Sequence, residues 1–186
     1  MIFFEDAMAP AVDSVFDVAF WFSDQGVNNQ EYIQPAKLHS LLFISQAYYA
    51  TISDGEKLFP ALFLAGESWP IEPSVEAAWF RGRPAFGEQK QFKSDTQTFL
   101  TSIWKRFGHH STDYLVKMCS RSSAYKTAVK RGLRSEIFLK NMVDDFKKQE
   151  YTIDSIQFLD SRTARSHTGR TVTVKTWNPR NQRRKK

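Results

Sequence analysis

The stretch RFGHHSTDYLVKMC, residues 106–119, holds two of the four histidines, a carboxylate and the only cysteine. Those are the side chains of metal sites and activated nucleophiles, so their spacing is the first test. A metal needs three or four ligands that converge on one point. His109 and His110 are neighbours, and on a turn their side chains diverge; Cys119 falls one helix later, while His39 and His167 belong to other segments. Gly108 is a helix-stopping residue and Ser111 a helix-starting one. The spacing therefore predicts a corner between two helices, with Cys119 a small buried apolar side chain in register with Leu115. Such a corner could offer its second helix to a DNA major groove, but TDYLVKMCSR puts Asp113 at the end that would read bases. Glu67, Glu72 and Glu76 stand near a turn and a helix start, where dipole and solvent account for them. No catalytic residue, metal or cofactor is assigned.

The elements that hold these residues follow from periodicity. Val12, Val15, Phe16 and Ala19 recur at helical spacing with Asp13 and Asp17 on the wet side, and SDQGVNNQ reads as a loop. Pro35 suits a first helical turn, and Leu38, Leu41, Leu42, Ser45, Tyr48, Tyr49 and Ile52 follow as an amphipathic helix. LFPALFLAG reads as a short buried extended segment, and ESWPIEPSVEAAW as a turn entering a short helix. Ser94 and Gln97 have capping-box spacing ahead of Phe99, Leu100, Ile103, Trp104 and Phe107, a helix that Gly108 can close in the left-handed conformation. Ser111 caps the next helix. Another runs through Tyr125, Ala128 and Val129 to Gly132, and Ser135 opens a last one with Phe138, Met142 and Phe146 inward. RTVTVKTW alternates as a strand does. The expectation is a mainly α fold: one compact domain of six to seven helices with a short extended segment over residues 1–150. A basic extension, 151–186, has room for one or two strands.

Composition bounds the class. Of 186 residues, 41% are hydrophobic and 16 are Phe, enough for a packed core. A single cysteine suits a reducing compartment, no secretory leader is visible in MIFFEDAMAP, and no apolar run reaches bilayer length, so a cytoplasmic protein without a membrane partner is expected. The net charge of +6 is uneven: residues 151–186 hold nine cations against two carboxylates, a net +7, which leaves about −1 for residues 1–150. Arg170, Lys175, Trp177, Arg180, Arg183, Arg184, Lys185 and Lys186 combine charge with a stacking ring, which fits nucleic acid, and fits an acidic protein surface equally well.

Three stretches, KLHSLLFISQAYYA (37–50), AGESWPIEPSV (65–75) and IWKRFGHHSTDYL (103–115), occur in an order that resembles the Panacea domain of SocA-like antitoxins. Lys37, Leu38, Leu41, Leu42, Gln46, Ala65, Pro70, Pro73, Val75, Trp104, Gly108, His109, Ser111 and Leu115 match that family's pattern over roughly residues 11–150, while Ser40, Phe43, Gly66 and Trp69 depart from it. The resemblance implies a helical, non-enzymatic module that binds a partner protein, often a toxin encoded beside it. Candidate contact residues are Trp69 between Pro70, Pro73 and the preceding turn, with Lys37 and Gln46 flanking a groove on one helix. Trp69 equally suits a plug in the domain's own core.

Overall fold

The computed structural model describes residues 9–85 and 91–148, and the backbone of two strands at 161–165 and 171–175. The fold is mainly helical, with seven α-helices and a small three-stranded sheet among the described residues.

Helix α1 (Val15–Asn28) starts on Ser14, whose hydroxyl accepts from the Phe16 N–H. It runs through most of the stretch expected to be loop, because Gly26 serves packing here instead of breaking the helix. A Cβ at Gly26 would lie 2.4 Å from Ile33 Cγ1 and 2.8 Å from the Glu31 carbonyl, so glycine lets the following segment close onto the helix. Asp17, expected on the wet side, is buried at 9% exposure.

Helix α2 (Pro35–Ile52) begins on its proline as predicted, but it is not amphipathic: 14 of its 18 residues are buried. α1, α4 (Ser94–Ile103), α5 (Thr112–Ser120) and α7 (Leu139–Lys148) all pack on it, so it is the central helix of the domain. Its small polar side chains are satisfied within the helix, with Ser40, Ser45 and Thr51 donating to the carbonyls of Ala36, Leu41 and Ala47. Core aromatics close around it, Phe43 meeting Phe63 and Tyr48 meeting Phe146 edge to face.

Strands β1 (Phe63–Ala65), β2 (Pro70–Ile71) and β3 (Glu136–Ile137) form an antiparallel sheet in the order β2–β1–β3, with Leu64 opposite both Ile71 and Glu136. β3 corrects the expectation that Ser135 opens a helix. Ile137 is drawn inward opposite Phe63, and α7 begins only at Leu139, which leaves Phe138 47% exposed instead of inward. Met142 and Phe146 are buried as expected.

Helix α3 (Pro73–Ala78) follows β2. α4 is entered from Lys93, without a side-chain cap, so the Ser94–Gln97 capping box does not form; Ser94 is already the first helical residue. The helix passes into a π-helical turn, Trp104–Gly108. Gly108 is required there by contact and not by a left-handed φ: a Cβ would sit 2.5 Å from the Trp104 indole. Ser111 caps α5 as predicted, accepting from the Tyr114 N–H at 3.3 Å, and Ser122 caps α6 (Ser123–Arg131) in the same way. Beyond α7, β4 (Ser161–Arg165) pairs antiparallel with β5 (Thr171–Lys175), the strand expected within RTVTVKTW.

Candidate interaction site

The chemistry-bearing side chains resolve into structural roles first. The His109 and His110 rings lie 4.1 Å apart, and Tyr114 stacks on His110 at 4.2 Å. Burial, with the neighbouring His109 and Lys37 charges, lowers the pKa of His110. Cys119 is buried against α2, its thiol donating to the Ser40 carbonyl at 3.8 Å, and burial pushes its pKa up to about 12. Among the described residues, no group of three or more His, Cys, Asp and Glu side chains is placed to hold a metal. His39 is also internal. Its Nδ1 accepts from the Glu72 N–H at 3.2 Å, and burial lowers its pKa to about 4 against the opposing pull of Glu76. Glu72 in turn caps α3, accepting from the Val75 N–H at 2.7 Å, and burial raises its carboxyl pKa.

Lys37 and Gln46, expected to flank a groove, are each 1% exposed. Lys37 reaches back to Glu31 at 2.6 Å. Gln46 clips the chain ahead of β1: its Oε1 accepts from the Leu58 and Phe59 N–H groups at 3.1 and 3.3 Å, while its Nε2 donates to the Phe59 carbonyl. Both turn inward because α2 is central, so neither borders a surface groove.

Trp69 and its prolines lie elsewhere. Pro70 is buried in β2 and Pro73 opens α3, while the half-buried Trp69 lines a cleft of about 380 Å³. The β1–β2 turn lines that cleft together with Ile71, Glu76, Leu133 and Arg134. The turn is held tightly. The Gly66 N–H donates to the Trp69 carbonyl at 3.1 Å, and the Tyr125 hydroxyl donates to the Gly66 carbonyl at 2.7 Å. A Cβ on Gly66 would stand 2.5 Å from the Trp69 carbonyl and 2.6 Å from Ile71 Cδ1, so only glycine allows the turn.

Leu133 and Arg134 reach the cleft through the sheet. The Ala65 N–H donates to the Ser135 carbonyl at 2.9 Å and the Arg134 N–H to the Ala65 carbonyl at 2.7 Å, so residues 133–135 extend the β1–β3 pairing. Gly132 at φ +124° and Arg134 at φ +61° turn the chain out of α6, which lifts Leu133 into solvent at 59% exposure. Arg134 closes the rim with Glu76 at 3.0 Å. A second depression of about 410 Å³ adjoins the same turn at Glu67 and Ser68, walled by Val116, Lys117 and Tyr125. The sheet beside the cleft offers little to an incoming strand: Pro70 has no N–H, the Glu72 N–H is held by His39, and the Arg131 guanidinium donates to the Glu136 carbonyl. The cleft therefore takes side chains better than backbone.

Trp69 was legible from its proline-rich setting; Leu133 and Arg134 were not, although an apolar residue directly after the Gly132 helix stop, outside the helical period, is a readable signal. Of the basic extension, Lys175 ends β5, and Arg170, Trp177, Arg180, Arg183, Arg184, Lys185 and Lys186 lie outside the described residues. No helix among the described residues is long and apolar enough to cross a membrane. No protein-family model, curated protein or solved structure matches the chain.

Proposed function

We propose that this chain is a non-enzymatic protein-interaction module of the antitoxin or adaptor kind, acting in the cytoplasm, with the Trp69–Leu133 cleft as its contact surface. The observation that carries the reading is Leu133, an aliphatic side chain lifted 59% into solvent across a cleft from a half-buried tryptophan. Large apolar and aromatic groups around a pocket, rimmed by an ion pair such as Arg134–Glu76, are the usual anatomy of an interface centre. The resemblance of the three quoted segments to SocA-like antitoxins supports the same reading and names the partner class, a toxin encoded beside this gene. The groups that looked reactive support it too, since Cys119, His39 and Glu72 are each committed to bonds inside the fold.

The test is co-expression with the product of the adjacent gene, scoring growth arrest and its rescue, with the complex measured by size-exclusion chromatography. Rescue and a stoichiometric complex are expected from the parent chain, and both are lost in Leu133→Asp and Trp69→Ala. A complex that both variants retain would move the interface away from the cleft. An adjacent product that neither arrests growth nor binds would remove the toxin as the partner.

A further inference from the structure

The charge of the folded body is itself divided. Residues 123–148 carry seven cations against three carboxylates, a net +4, and one of those carboxylates, Asp145, is buried and bonded to Ser123 and the Ala124 N–H. Lys126, Lys130, Lys140, Lys147 and Lys148 are all exposed and make no ion pair among the described residues. They belong to two helices that pack on each other, four residues apart in α6 and seven to eight residues apart in α7, where the exposed Asp144 stands one turn from each of them. Between the helices lies Phe138, 47% exposed, with the Arg131 guanidinium 4.6 Å from its ring centroid. The segment continues directly into the extension of net +7 at residues 151–186.

Two partner classes carry the complementary charge, acidic proteins and nucleic acids. Lysine is depleted at protein–protein interfaces, where arginine and aromatic rings are favoured. Exposed lysines without fixed geometry suit a phosphate backbone, which is bound through long-range charge and counterion release. An exposed ring among those cations suits an unpaired base, since base stacking on aromatic side chains supplies affinity without sequence choice.

We infer that the α6–Phe138–α7 face binds single-stranded nucleic acid, its lysines tracking phosphates and Phe138 stacking a base. This site is separate from the Trp69–Leu133 cleft and stands or falls without it.

The experiment uses the full chain and a fluorescein-labelled oligothymidylate of about 20 nucleotides, with anisotropy titrations from about 50 to 300 mM salt. Replacing Lys126, Lys130, Lys140 and Lys147 together with Gln is expected to weaken binding at least tenfold at the lowest salt. It also makes the slope of log K against log salt shallower by about 3, at roughly 0.7 per phosphate contact on a single strand. A matched variant with Lys57, Lys93, Lys105 and Lys117 changed to Gln has the same net charge and is expected to leave the slope within about 1 of the parent. Phe138→Ala is expected to weaken binding about tenfold with an unchanged slope. Thermal melts establish that the variants are folded, and all the substituted side chains are exposed. The proposal is overturned by a parent dissociation constant above about 100 µM at the lowest salt, by equal losses in the two lysine variants, or by unchanged binding in the first. Displacement by polyglutamate as effective as by unlabelled oligonucleotide would also overturn it, and would point to an acidic protein.

Discussion

Helix α2 and the Trp69–Leu133 cleft both invert the ordinary pattern of polar residues outside and apolar residues inside, in opposite directions. In α2, polar side chains lie within the core: Lys37 and Gln46 are as buried as the leucines between them. Around the cleft, Trp69 is half-buried and Leu133 lies mostly outside, with no covering element among the described residues. A buried polar group is tolerable only when it is bonded, and Gln46 is bonded three times. An exposed apolar group costs little by itself but does nothing for the fold. The first inversion is therefore a statement about stability and the second about binding, and substitutions in the two places should separate cleanly.

Gln46→Ala should have the largest effect, about 4 kcal/mol of stability, because it leaves two N–H groups and a carbonyl at Leu58 and Phe59 without partners and opens a cavity in the core. Urea unfolding measures it. A loss below about 1 kcal/mol would mean that water replaces the amide, and that α2 is less dry than its burial indicates. Gly66→Ala comes next, at about 3 kcal/mol, since the added Cβ meets a backbone carbonyl that the β1–β2 pairing holds in place. Gly108→Ala should cost less, about 1–2 kcal/mol, because its obstacle is a half-buried indole that can swing aside. Equal costs for the two glycines would mean that the Trp104 ring is as fixed as the Trp69 carbonyl.

Acid should act on α2 through His39. Its folded pKa of about 4 lies below the 6.5 of an unperturbed histidine, so the unfolded chain takes up the proton first. The stability held by the neutral ring is full above pH 6.5 and is lost progressively as pH falls towards 4, reaching about 2 kcal/mol by pH 5. Glu72 works the other way: its raised pKa makes the folded chain the better proton acceptor just above the ordinary carboxylate range, which offsets part of that loss. Urea midpoints at pH 7 and pH 5 should differ in the parent and converge in His39→Gln. Parallel losses in both proteins would place the acid sensitivity in other groups.

How far the fold could be read from sequence follows the same division. Pro35, Ser111 and the Phe99–Leu100–Ile103 face mark elements through local chemistry, and those elements form where their residues say. Periodicity located α2 but called it amphipathic, because His39, Lys37 and Gln46 look like a wet face until their partners elsewhere in the chain are known, and Ser40 until its bond back to the Ala36 carbonyl is. Gly26 and Gly108 were read as breaks, whereas each admits a close neighbour, Ile33 or Trp104, that a linear reading does not place beside it. The short β3 was hidden for a similar reason: two residues carry no period, and what draws Ile137 into a strand is Phe63, far away in sequence. The cleft was half legible. Trp69 announced itself by its prolines, but Leu133 reaches it only through the pairing of Ala65 with residues 134 and 135.

That long-range origin makes Leu133→Asp the smallest change expected in stability and the sharpest test of the comparison. The side chain touches solvent on most of its surface, and its backbone is positioned by Gly132 and by the Arg134–Ala65 hydrogen bond, neither of which the substitution touches. Its effect on the urea midpoint should therefore stay within about 0.5 kcal/mol. At a protein interface the same change puts a carboxylate into a desolvated pocket beside Glu76, which should weaken partner binding by tenfold or more. A large stability loss instead would mean that Leu133 is packed by some other part of the chain, and the cleft would then belong with α2 as a feature of the fold.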